Sequence, residues 1–195
     1  QELAHLMALQ ERFGDDLRGK KYVLTWTYHP KALNTAVANS ALTIATRYGM
    51  DVTLLCPTEQ YLLDERYMDI GARNAVDSGG SFQVSHDIDS AYEGADIVYA
   101  KSWGALPYFG NWEPEKPIRD QFKHFIVDEA KMAKTNNGVF SHCLPLRRNV
   151  KATDAVMDAP YCIAVDEAEN RLHVQKAIMA ALVGVVVGIP SLRIK

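Results

Sequence analysis

The chain has 195 residues, about 1.3 times the usual domain size of roughly 150, which points to one domain with or without an appendage and not to a multidomain machine. Twenty-one Lys and Arg against 24 Asp and Glu leave a net charge of -3 with no basic run, so nucleic acid is not an expected partner, and 48% hydrophobic with 23% charged content excludes disordered, collagen-like and coiled-coil classes. The three cysteines, Cys56, Cys143 and Cys162, are scattered, which signals neither a secreted disulfide framework nor a CxxC metal site and fits a reducing cytoplasm.

In chain order, Leu3, Leu6, Met7 and Phe13 recur at helical spacing, and Gly14 is placed to end that helix in a left-handed cap. Tyr22 to Trp26 reads as a strand and Asn34 to Tyr48 as a helix closed by Gly49. The alternation continues with a strand at Val52 to Cys56, a helix at Tyr61 to Val76, a strand at Ser81 to Ser85, a short helix at Ile88 to Glu93 and a strand at Asp96 to Ala100. Two polar helices, near Ile118 to Phe125 and Asp128 to Lys134, precede strands at Val139 to His142 and Cys162 to Val165 and a last helix from about Glu167 to Leu182. Strands alternating with helices predict right-handed crossovers, hence an α/β fold: an open parallel sheet with helices on both faces.

The longest apolar run, Ala177 to Ile189, is broken by Gly184 and Gly188 and stopped by Pro190, short of the roughly 20 residues of a membrane span. It predicts a buried terminal helix, with the domain at 1–183 and a tail at 184–195. The start, Gln1-Glu2-Leu3, has neither an initiator methionine nor a signal-peptide layout, so the chain is expected to begin mid-protein.

In open parallel sheets ligands bind outside the carboxyl ends of the strands. The segments there are Thr27-Tyr28-His29-Pro30-Lys31, Pro57-Thr58, Lys101-Ser102-Trp103-Gly104, His142 to Asn149, and Asp166-Glu167. The stretch from His142 to Lys151 gathers a histidine, a cysteine, two arginines and a lysine, a composition suited to an anionic or carbonyl-bearing ligand. A solvated basic loop around a structural cysteine has the same composition.

His142-Cys143-Leu144-Pro145 resembles the His-Cys-Leu-Pro signature of ornithine-type carbamoyltransferases, and the following Leu-Arg-Arg-Asn-Val-Lys is similar to the branch of that family acting on N-acetylornithine. The resemblance runs through residues 27–31, 34–40, 100–103 and 166–174 and covers Gln1 to about Leu182. It implies a Rossmann-like domain that holds the amino-acid substrate, the C-terminal half of such an enzyme. Gln1 matches the end of the family's His-Pro-x-Gln motif, while the half carrying the Ser-x-Arg-Thr-Arg loop that grips carbamoyl phosphate is absent from this sequence.

The implied reaction is attack of the neutral δ-amine of N-acetyl-L-ornithine on carbamoyl phosphate, giving N-acetyl-L-citrulline and phosphate. By resemblance, Gln1, the carbonyls of Cys143 and Leu144, and Arg171 hold the carbamoyl group, with Cys143 and Arg171 as catalytic candidates. Lys101, Leu144, Arg147 and Asn34 are assigned to acetylornithine. The Leu144-Pro145 bond is expected to be cis, as in the family; proline lowers that penalty to about 0.5 to 1 kcal/mol. Ornithine enzymes carry an aspartate where this chain has Lys101; a lysine repels a free α-amine and tolerates an acylated one, which argues for an N-acylated substrate. Lys151 matches a lysine that is carboxylated in acetylornithine enzymes. The resemblance further implies a cytoplasmic homotrimer with sites shared between subunits, and an isolated half without turnover.

No cofactor is expected, and no set of His, Cys and carboxylates has metal-ligand spacing. His29 lies within reach of a ligand, whereas His5, His86, His124 and His173 read as surface or satisfied helix residues. A dehydrogenase shares the architecture but needs glycines straight after the first strand, and none occurs between Gly19 and Gly49. An N-succinylornithine enzyme and a non-catalytic module that binds an amino-acid derivative remain as alternatives.

Overall fold

Five parallel strands form one sheet in the order β3-β2-β1-β4-β5. They are β1 (Lys21–Trp26), β2 (Asp51–Leu55), β3 (Ser81–Ser85), β4 (Ile97–Lys101) and β5 (Val139–Ser141). The computed structural model describes residues 1–184, so the tail expected beyond Gly184 lies outside the described residues. The central strands β1 and β4 are covered on both faces and accordingly read as mainly apolar runs, whereas the edge strand β3 alternates and is largely exposed. Strands β1 and β4 are neighbours although 75 residues separate their paired positions Tyr22 and Ile97, and the chain reverses its direction of travel there. In open parallel sheets such a reversal marks where a ligand crevice forms, outside the carboxyl ends of the two strands.

The helices are α1 (Glu2–Phe13), α2 (Ala36–Arg47), α3 (Glu65–Ser78), α4 (Ile88–Tyr92), α5 (Lys116–Arg119), α6 (Glu129–Met132), α7 (Asp154–Met157) and α8 (Ala164–Leu182). Asp64, Asp87, Asp128 and Thr153 cap four of them by accepting from a backbone N–H in the first turn. Helix α3 ends at Gly79, whose left-handed backbone (φ 78°) suits glycine. Within α3, Gly71 leaves room for Leu42 of α2, which lies 3.1 Å from where a Cβ would stand.

Several expectations fail. The predicted strand at Cys162 to Val165 is a single bridge between Cys162 and Phe140, after which the chain turns into α8 at Ala164. The run Cys-Ile-Ala-Val is apolar enough for either element, and periodicity does not separate short strands from helix starts. The helix expected from Tyr61 begins at Glu65; Tyr61 closes a preceding 3-10 turn. Gly14 has positive φ but an extended ψ, so it does not form the left-handed cap. The polar segment up to Phe125 is mostly 3-10, and α7 went unforeseen. The end of α8 is not buried: Met179, Leu182 and Val183 are more than half exposed.

Under the crevice lies an aromatic bed. Trp26 meets Tyr61 and Phe125 edge-on, with ring centroids 5.1 and 5.7 Å apart. The Trp26 indole donates to the Trp103 carbonyl and the Trp103 indole to the Tyr61 carbonyl, each at 2.8 Å, so these rings also fix backbone. A buried ion pair between Glu115 and Arg119 ties the rim: Glu115 accepts from Tyr61 Oη at 3.1 Å and from the Ala105 N–H at 3.3 Å, and Arg119 donates to the Pro30 carbonyl at 3.1 Å.

Candidate active site

The segments leaving β1, β4 and β5 converge at the crevice. The first two are fastened together: the Gly104 N–H donates to the Leu33 carbonyl at 2.9 Å, Thr27 N–H to Lys101 O at 2.8 Å, and the Thr27 and Ser102 hydroxyls pair at 3.1 Å. A Cβ on Gly104 would stand 2.7 Å from both Ala32 Cβ and the Trp112 ring, so only glycine permits this approach.

Lys101 ends β4 and directs its ammonium to Cys143 Sγ, 3.3 Å away. His142, buried at the end of β5, accepts from the Leu144 N–H through Nδ1 at 2.9 Å and meets Lys151 Nζ through Nε2 at 3.3 Å. The Leu144-Pro145 peptide bond is cis, as expected, and Leu144 has φ 45°. Burial and then the charges of Lys151 and Lys101 hold the His142 imidazole well below its ordinary pKa. Because Nδ1 is an acceptor, the neutral ring carries its proton on Nε2, and that N–H requires a lone pair on Lys151 Nζ. Lys151 itself is buried, and its pKa falls to about 8 through burial first and the neighbouring Lys101 charge second. The site thus holds an amine that gives up its proton far more readily than an ordinary lysine.

Arg147, exposed on the same loop, contributes positive potential felt at both Lys151 and His29. His29 is nine-tenths buried, its Nδ1 is engaged by Lys31, and burial lowers its pKa. Among the sequence candidates, the structure therefore gathers Lys101, Cys143, Leu144, Arg147 and Lys151, with His142 and His29. Asn34 is exposed, and its Oδ1 accepts from the Ala36 N–H at the start of α2. Arg171 is exposed on α8 and makes no hydrogen bond or ion pair among the described residues. Arg148 points elsewhere, to Asp154 at 3.0 Å and Asp158 at 2.6 Å. Among the described residues no group of three or more His, Cys or carboxylates could hold a metal, and no helix is long and apolar enough to cross a membrane.

Gln1, immediately before α1, donates through its side-chain amide to Glu167 of α8. That carboxylate also accepts from Ser141 of β5, from His5 Nδ1 at 3.0 Å and from Tyr99 Oη at 3.4 Å. Glu167 was named only as part of a post-strand segment, and His5 as a surface or satisfied helix residue; it is satisfied and wholly buried. Glu2 and His5 share a face of α1 with Leu6 and Leu9, and polar residues on an apolar stripe were the available signal.

Residues 24–182 match the family model described as the Asp/Orn-binding domain of aspartate/ornithine carbamoyltransferase. The chain belongs to the aspartate/ornithine carbamoyltransferase family. It is 85% identical over 185 residues to the N-acetylornithine carbamoyltransferase of Xanthomonas campestris, covering 94% of this chain and 55% of that protein. Against the ornithine carbamoyltransferase of Pyrococcus abyssi the identity is 37% over 186 residues, with 94% and 55% covered. A crystal structure of acetylornithine transcarbamylase complexed with acetylcitrulline superposes with a TM-score of 0.92 at 83% identity, covering 96% of this chain and 55% of that one. The chain therefore spans about half the length of its carbamoyltransferase relatives.

Proposed function

We propose that the protein to which this chain belongs transfers the carbamoyl group of carbamoyl phosphate to the δ-amine of N-acetyl-L-ornithine, giving N-acetyl-L-citrulline and phosphate, and that this chain is its amino-acid-binding half. The carrying observation is Lys101: it stands at the end of β4 against Cys143, in a neighbourhood where Arg147 adds a second positive charge. Such a site disfavours a free α-ammonium and favours a carboxylate whose α-nitrogen has been acylated. The 85% identity to an N-acetylornithine enzyme, against 37% to an ornithine enzyme, supports the same choice.

The δ-amine lone pair adds to the carbamoyl carbon, phosphate leaves with the C–O bonding pair, and the proton that the amine sheds passes to the departing phosphate. Lys101 and Arg147 hold the substrate carboxylate, while Gln1, Arg171 and the carbonyls of Cys143 and Leu144 hold the carbamoyl group. Positioning and charge stabilisation carry the rate. Steady-state assay of the full-length protein with ornithine, N-acetylornithine and N-succinylornithine tests this; comparable kcat/KM for ornithine and N-acetylornithine overturns it, and the third substrate settles the acyl group.

Lys151 belongs to the same proposal as a carboxylation site. Burial and the Lys101 charge make its proton easy to lose; the freed lone pair turns from His142 to add to the carbon of CO2, and one N–H proton is released to solvent. A carbamate resonance in the NMR spectrum after incubation with 13C-bicarbonate, lost in Lys151→Ala, supports this; an unchanged resonance refutes it. Assembly as a cytoplasmic homotrimer completes the proposal, with light scattering of the full-length protein as the check on subunit number.

A further inference from the structure

Glu167 is fully buried, yet it carries a carboxylate whose partners come from four directions: Gln1 ahead of α1, His5 within α1, Tyr99 of β4 and Ser141 of β5. A carboxylate only accepts, so Gln1, His5 and Ser141 donate to it, while the single Tyr99 proton is shared with Glu2, 3.3 Å from the hydroxyl. Burial alone would raise the Glu167 pKa, but the His5, Ser141 and Gln1 hydrogen bonds bring it below the ordinary carboxylate value, and the group is an anion at neutral pH. Behind it the Tyr22 hydroxyl lies 3.1 Å from His5 Nε2 and holds the ring in place while Nδ1–H donates to Glu167.

The consequence falls on Gln1. An amide side chain has two chemically opposite ends, and ordinary rotation exchanges them at little cost when neither is held. Here the nitrogen is committed to Glu167, which leaves the amide oxygen as the end free to meet a ligand. An oxygen accepts from the NH2 of a carbamoyl group; the reversed amide would offer that NH2 a second donor and repel it.

We propose that Glu167 is a positioning residue: its carboxylate locks the Gln1 amide in the sense that accepts from the carbamoyl NH2. Through Ser141 it also steadies the strand end that leads into His142 and Cys143. The proposal rests on the carbamoyl-transfer reading above but is indifferent to which amine accepts the group.

The test is a double-mutant cycle of Glu167→Gln and Gln1→Ala in the full-length protein, with thermal denaturation confirming that each variant folds. Glu167→Gln keeps the shape but can donate as well as accept, so it no longer dictates the sense of Gln1. Its kcat is expected to fall about tenfold to a hundredfold, the scale of a misaligned reacting group, with the KM for the amine acceptor changed by less than about threefold. In the Gln1→Ala background the same substitution should cost little more, because its target is gone. An unchanged kcat in Glu167→Gln, or fully multiplicative losses in the double variant, overturns the proposal. Glu167→Asp, which retains the charge and withdraws it from Gln1, replaces Glu167→Gln in the cycle if the latter does not fold. If the unsubstituted enzyme carbamoylates ornithine and not N-acetylornithine, the substrate reading alone has failed and the cycle is run with ornithine; no carbamoyl transfer to any amine overturns both.

Discussion

Replacing Glu2 by glutamine should change the pH dependence of stability. Glu2 lies buried on α1, and its carboxyl is raised from 4.5 to about 7, chiefly by burial, with the Glu167 charge adding to the rise and His5 opposing it. Below about pH 4.5 the folded and unfolded chains both hold the proton, so the stabilising effect of the raised pKa is fully present. Between about 4.5 and 7 the unfolded chain releases it while the folded chain keeps it, and stability falls as pH rises. At about 1.4 kcal/mol per pH unit the accumulated loss is about 3 kcal/mol, a large part of the roughly 5 to 15 kcal/mol typical of a domain. Glutamine keeps an oxygen for the Tyr99 hydroxyl, which lies 3.3 Å from Glu2 Oε1, and does not ionise. Its amide nitrogen would replace Oε2, a buried atom with no partner among the described residues, at a pH-independent cost of about 1 to 3 kcal/mol. The slope is therefore the readout. Urea unfolding from pH 4.5 to 8 should show wild-type stability declining relative to Glu2→Gln by about 3 kcal/mol across that range. Parallel pH profiles would show that the proton is not held where the structure holds it.

Arg119→Met leaves Glu115 buried without its partner and should destabilise the chain by about 3 to 5 kcal/mol, most of it recovered when Glu115→Gln is added; equilibrium unfolding of the single and double variants checks both statements. Gly80→Ala would place a Cβ 2.6 Å from the Met50 carbonyl oxygen, an atom of the backbone, so a loss of roughly 1 to 3 kcal/mol in the same assay is expected. Arg148→Ala removes only exposed pairs with Asp154 and Asp158, and kcat/KM of the full-length protein should stay within about twofold of wild type, which makes it the control for Arg147→Ala.

The parallel strands were legible because each is a short apolar or β-branched run between turn residues, and the observed ends of β1, β2 and β4 fall within a residue of those read from sequence. The site was legible as a set of post-strand segments, and the meeting of Lys101 with Cys143 follows from β4 and β5 being neighbours. What escaped was long-range: the pairing of Glu167 with His5, 162 residues apart, leaves no trace in local periodicity beyond a polar residue on an apolar face. Arg171 and Asn34 entered through resemblance alone, and their exposure in this chain is not something that spacing encodes. The exposed end of α8 escaped for a simpler reason, since apolar composition tells what favours burial and not whether a covering surface is present.

The fastening of the segments after β1 and β4 bears on the thermodynamics of ligand capture. With Leu33, Tyr28 and Pro30 bonded across to Gly104, Ser102 and Arg119, the two rims move as one plate, and their conformational entropy is surrendered when the chain folds and not when a ligand arrives. Association with this half should then carry a small heat-capacity change and a calorimetric enthalpy dominated by the ion pairs that the proposed function assigns to Lys101 and Arg147, with little contribution from ordering of the rims.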